Sequence, residues 1–330
     1  MTAALSHEAQ SPEPARTRTR TRRLWRPNLP LVLSSLALAA APLVLPVQYV
    51  DLLVFSALLA IGALGVGFLL GQAGIINLAQ VAFYGIGAYA TAHVTVAWAL
   101  PGALGLLIGL VISATFALAI GLPLLRLSGH FLALATLALL VIVTQLFFEW
   151  DWLTGGSLGI SGIPKISLLG WTLDSPVKFY YFVWPLTLLC FWLLSNVANG
   201  RPGLAMRAMR DSPEAAEVMA IDSAALRTKL FVLSAILGSL SGSLFAHYVG
   251  YISVDSFTLE RTMLLVLAAV IGGVRNPWGA LPGAIFVSFL PEVLSPLGDV
   301  YRILFGVGLV LVIMLFPQGL LGIAAWRRVK

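Results

Sequence analysis

The stretch VIGGVRNPWGALPGAIF, residues 270–286, decides how often the chain crosses a membrane. It reads either as one broken helix or as a turn between two helices. Fusing it into one helix would bury Arg275 and move the basic segment Trp326–Lys330 to the opposite side of the membrane. Read as a turn, it completes ten apolar spans. These lie at about 29–47, 51–70, 78–98, 103–125, 131–149, 179–197, 228–250, 259–274, 279–296 and 303–321. Runs of about 16–23 residues can cross a hydrocarbon core about 30 Å thick at about 1.5 Å per residue. With ten spans and an inner amino terminus, sixteen of the twenty Lys and Arg residues are inside. Lys165, Lys178, Arg261 and Arg302 remain outside. Loops on the cytoplasmic side favour basic residues, so ten spans with both termini cytoplasmic is the expected topology.

Composition agrees. The chain has 330 residues, of which 59% are hydrophobic and 10% charged. Soluble domains carry roughly 25% charged residues. The expected fold class is therefore all-α, a polytopic transmembrane helical bundle. The net charge of +6 reflects basic loops and calls for no nucleic acid. Cys190 is the single cysteine, so no internal disulfide is possible. The four histidines lack metal-ligand spacing, and no metal is expected. Nor does any Ser–His–Asp set, core carboxylate pair or cysteine site suggest catalysis. Residues 1–28 read as a basic, disordered cytoplasmic tail able to lie on anionic headgroups. Residues 29–322 form one membrane domain, and 323–330 a second basic tail. The run 29–47 is long for a signal peptide, so an uncleaved anchor is expected.

Small-xxx-small pairs at Gly67/Gly71, Gly105/Gly109, Gly279/Gly283 and Ser234/Gly238/Gly242 predict close helix packing. The polar stretch RAMRDSPEAAEVMAID, residues 207–222, needs a different account. It lies in the inner loop 198–228. Gly203–Met209 predicts one or two helical turns. Asp211 or Ser212 can cap a second helix over Glu214–Ile221, with Pro213 suited to its first turn. A loop so long and ordered points to a docking surface. The chain has no Gly-Lys dipeptide, and hence no G-x-x-x-x-G-K-[ST] phosphate loop. Energy from phosphate chemistry would come from another subunit.

At this point a resemblance becomes specific. Residues 203–257, beginning GLAMRAMRDSPEAAEVMAID, resemble the coupling loop and following helix of branched-chain amino-acid ABC importer permeases, LivM type. GQAGIINLAQVAFYGIGAYA (71–90), RLSGHFLALATLAL (126–139), TGGSLGISGIP (154–164), IGGVRNPWGALPGAIF (271–286) and LFPQGLLG (315–322) are similar to the same family, in family order. The first stretch departs from the usual Leu-Gly-His, reading Asn77-Leu78-Ala79-Gln80. The resemblance implies a multi-pass protein of the bacterial inner membrane that imports leucine, isoleucine or valine. It also implies a LivH-like permease partner, two cytoplasmic ATPase subunits that use ATP, and an extracytoplasmic binding protein. This chain would bind no cofactor itself. The residues implied at the ATPase contact are Arg207, Arg210, Asp211, Glu214, Ala215, Ala216 and Glu217.

In the membrane, Gln72, Asn77 and Gln80 bring amides to the start of the third span, and Gly85 and Gly87 follow. These are candidates for lining a solute pathway; packing with satisfied amides is the alternative. Interruptions near 71–77 and 272–282 are corresponding candidates if the two halves are inverted repeats. His247 inside a span reads as a packing residue. The same fold carrying urea or short amides remains open, as does an ion-coupled secondary transporter. The latter is disfavoured because no carboxylate falls at mid-membrane.

Overall fold

The structure, a computed structural model, describes residues 41–168, 171–295, 301–315 and 319–321. The basic tails and most of the expected first span lie outside them. The described chain is helical. Helix α1 spans Val47–Phe68 and runs into a π-helical turn, Leu69–Ala73. Then come α2 (Gln80–Val96), α3 (Gly102–Leu124), α4 (Gly129–Glu149) and the short α5 (Asp151–Thr154). They are followed by α6 (Pro176–Asn199), α7 (Arg201–Asp211), α8 (Pro213–Val218) and α9 (Ser223–Val249). The last three are α10 (Leu259–Gly272), α11 (Ala280–Leu294) and α12 (Tyr301–Leu315).

Among the described residues, six stretches are long and apolar enough to cross a bilayer: Val47–Ala73, Gly102–Leu124, Gly129–Glu149, Pro176–Asn199, Ser223–Val249 and Pro277–Leu294. The chain is thus a polytopic helical membrane protein. Helices α2, α10 and α12, at 17, 14 and 15 residues, match expected spans but are shorter. Residues 270–286 form a turn: α10 ends at Gly272, Gly273 takes φ 108°, and α11 starts at Ala280. Helices α10 and α11 pack together. Near the carboxyl end, Leu320 N–H donates to the Ile271 carbonyl at 2.8 Å. Leu320 and Leu321 therefore lie against the end of α10, next to the turn that carries Arg275.

Helix α2 packs between α3 and α9, and α9 also rests on α1 and α3. Small residues allow this closeness. A Cβ at Gly242 of α9 would fall on the Tyr84 carbonyl of α2, and one at Gly283 of α11 on the Ala268 carbonyl of α10. His247 is buried, its Nδ1 2.7 Å from the Pro164 carbonyl oxygen, as a packing histidine would be.

The sequence reading missed four two-residue strands. β1 (Ile160–Ser161) pairs antiparallel with β4 (Tyr251–Ile252), and β2 (Ser167–Leu168) with β3 (Trp171–Thr172). The first pair fastens the long 151–178 loop to the end of α9.

Gly242→Val should therefore force α2 and α9 apart. Overpacking of this kind costs about 1–3 kcal/mol. A lower midpoint in a detergent thermal melt is expected, and an unchanged midpoint would show that α2 and α9 do not meet there.

Candidate functional site

The polar cassette folds into two helices at one end of the bundle. Gly200 is the extended N-cap of α7, with Pro202 in its first turn. Its buried face is Gly203, Met206 and Met209. Ser212 separates α7 from α8, its Oγ accepting from Ala215 N–H at 3.3 Å. Helix α8 is shorter than the expected Glu214–Ile221, stopping before Ala220, which takes φ 58°. Asp222 then caps α9 through a bond from Ala225 N–H to its Oδ1 at 2.9 Å.

The seven residues implied at a partner contact divide into two sets. Arg207, Arg210 and Ala216 work within the chain. Arg207 is half-buried; Nη1 donates to Gln72 Oε1 at 3.2 Å and to the Ala198 carbonyl at 2.9 Å. Arg210 Nη1 donates to the Gly71 carbonyl at 2.5 Å. Carbonyls at a helix end lack intrahelical partners, and the α1 π turn obtains one from this guanidinium. Ala216 is buried. Asp211, Glu214, Ala215 and Glu217 face outward. Beside them Val218 and Met219 are 87% and 76% exposed. This apolar pair was missing from the sequence-derived set. Its signal was two large apolar residues ending an otherwise charged helix.

The five pathway candidates lie inside the protein matrix. Gln72, at the π turn, accepts from Arg207 and donates through Nε2 to the Arg275 carbonyl at 3.3 Å. Both expected interruptions therefore meet at one end of the bundle. Residues 74–79 are not helical, and non-helical backbone at membrane depth needs internal partners. Thr136 Oγ1 accepts from Leu78 N–H at 3.1 Å, and Asn77 Oδ1 from Ala79 N–H at 3.0 Å. Gln80 joins three segments. Its Nε2 donates to the Gly62 and Ser234 carbonyls at 3.3 and 3.0 Å. Its Oε1 accepts from Ser234 Oγ at 2.8 Å and from Asn77 Nδ2 at 3.1 Å. A Cβ at Gly85 would strike the Phe147 ring, and one at Gly87 the Ser239 carbonyl. In this conformation all five act as packing or hydrogen-bonding elements.

The opposite end holds a cavity of about 400 Å3 between α1, α10 and α11. Leu52, Phe55, Leu59 and Leu264 supply apolar wall, and Asp255, Glu260 and Arg261 the charge. Arg261 Nη2 donates to Tyr84 Oη at 3.0 Å. Its guanidinium carbon lies 5.0 Å from the Tyr84 ring centroid and 4.3 Å from that of Phe245. The described residues contain no group of three or more metal-ligating side chains.

The family described as "branched-chain amino acid transport system / permease component" matches residues 48–316. The high-affinity branched-chain amino acid transport system permease protein LivM of Salmonella typhimurium is 26% identical over 295 residues, covering 82% of this chain and 69% of the relative. The nucleoside ABC transporter permease protein NupC of Lactococcus lactis is 27% identical over 250 residues, covering 70% and 76%. LivH of Salmonella typhimurium is 25% identical over 289 residues, covering 80% and 91%. No solved structure matches the chain.

Gln80→Leu should leave the Ser234 hydroxyl and two carbonyls without their partner inside the bundle. Buried groups left unsatisfied cost about 1–3 kcal/mol each. A clear drop in thermal midpoint is expected, larger than for a lipid-facing change such as Val111→Ala. Equal midpoints for the two variants would remove Gln80 from the role assigned to it.

Proposed function

Because the chain belongs to the family of branched-chain amino acid transport system permease components, we propose that it is the membrane permease subunit of an ATP-binding-cassette importer. Its cargo on this reading is leucine, isoleucine or valine, the class named for its LivM relatives. A LivH-like chain completes the pathway, two cytoplasmic ATPases supply the energy, and an extracytoplasmic protein delivers the solute. The chain itself binds no cofactor. It has ten spans with both termini cytoplasmic, in the bacterial inner membrane, and residues 198–228 form the cytoplasmic coupling loop.

One observation carries this reading. The α7–α8 pair is anchored through Arg207 and Arg210 to the turns that end α1 and α10, while Asp211, Glu214, Glu217, Val218 and Met219 stay exposed. That combination suits a docking knob whose displacement is passed to the bundle. Glu214, in the first turn of α8, is also compatible with the positive end of its dipole. The likeness to a permease named for nucleosides favours a second reading in cargo alone, with the same coupling but a different solute.

Two measurements test the proposal. In a Cys190→Ala background, Ser212→Cys should react with an impermeant thiol reagent only from the cytoplasmic side; reaction only from outside would overturn the topology. Glu214→Lys should abolish ATP-dependent uptake and weaken co-purification of the ATPase subunits, while membrane insertion is normal. Unchanged uptake and association would remove α8 as the docking element.

A further inference from the structure

We propose that the Arg261 cavity is a station for the solute's carboxylate at the outer end of the permease, an inference that rests on the amino-acid cargo proposed above. Arg261 sits in the first turn of α10, partly buried, beside the side chains of Tyr84 and Phe245. Among the described residues, no carboxylate lies within ion-pairing distance of it. Two aromatic faces and one phenol hydroxyl hold the guanidinium in place without neutralising it. A positioned, planar, weakly hydrated cation with donors to spare favours a carboxylate, which it can bind through two parallel hydrogen bonds.

The remaining walls fit the rest of such a solute. Leu52, Phe55, Leu59 and Leu264 offer apolar surface to a branched aliphatic side chain. Asp255 and Glu260 line the same cavity and offer negative charge to an ammonium group. The volume of about 400 Å3 falls at the small end of the roughly 300–1,000 Å3 usual for ligand pockets. Acid, base and apolar wall thus occur together in one cavity, as a zwitterionic aliphatic amino acid requires. The buried amides of Asn77 and Gln80, by contrast, are already engaged with one another and with the backbone.

The test uses the whole transporter in proteoliposomes, with its partner permease, ATPases and binding protein, and radiolabelled L-leucine as the probe. Losing a charge-assisted contact of about 1.5–3 kcal/mol predicts roughly 10- to 100-fold slower uptake for Arg261→Gln. Arg261→Lys should recover part of that loss, because it keeps the charge but not the two-pronged geometry. Co-purification of the ATPases should match wild type. Wild-type leucine uptake by Arg261→Gln would overturn the station and leave the permease reading intact. If wild-type vesicles carry only a solute lacking a carboxylate, both the cargo and the station fail. Should Arg261→Gln not assemble, Arg261→Lys decides: unchanged rate and KM refute the station, and an uptake defect in the assembled complex supports it.

Discussion

Two guanidinium groups fasten the polar cassette to the helical bundle. Arg207 and Arg210 are three residues apart, so they project from one face of α7. Both reach the π turn that ends α1, one through the Gln72 side chain and one through the Gly71 carbonyl. Gln72 extends the connection to the Arg275 carbonyl in the turn between α10 and α11. Charge-assisted hydrogen bonds are roughly twice as strong as neutral ones, and these are partly shielded from water. A knob joined to the bundle by peptide links alone would swing on its hinges. Here its first helix is held by side-chain bonds to helix ends far away in the sequence.

Much of the architecture was legible because hydrocarbon thickness imposes itself on composition. The expected spans from 51–70 onward each fall on an observed helix, and 270–286 is a turn, as Arg275 required. The largest shift of a helix start is at α9, expected from 228 but beginning at Ser223. An apolar count cannot see a helix that continues past the hydrophobic layer to a polar cap such as Asp222. The π turn at Leu69–Ala73 was equally invisible, since one extra residue per turn leaves no mark on hydropathy.

The site was less legible, for a different reason. Residue types identify what can dock or bind, but orientation is fixed by partners distant in sequence. Arg207 meets Gln72 across 135 residues, and Gln80 meets Ser234 across 154. Arg261 reads as one more charge near a membrane surface until Tyr84 and Phe245 are seen around it. Similarly, the amides of residues 72–80 suggested a pathway by type. Their geometry gives them a prior duty, which is to satisfy the non-helical backbone between α1 and α2 and to join α2 to α9.

The two ends of the molecule are joined by single rigid elements. Helix α9 has 27 residues, which at about 1.5 Å per residue makes it about 40 Å long. It begins at the Asp222 cap, directly after the knob, and near its far end carries Phe245, one of the aromatic supports of Arg261. Between them Ser234 is tied to Gln80, and Gly242 lies against the Tyr84 carbonyl. Tyr84 is itself the other support of Arg261. Helices α2 and α9 therefore cannot slide independently without breaking buried hydrogen bonds or colliding with backbone. One helix, α9, thus runs from the Asp222 cap beside the knob to Phe245, and its bonds and contacts with α2 hold Tyr84, the second aromatic support of Arg261, in register with it.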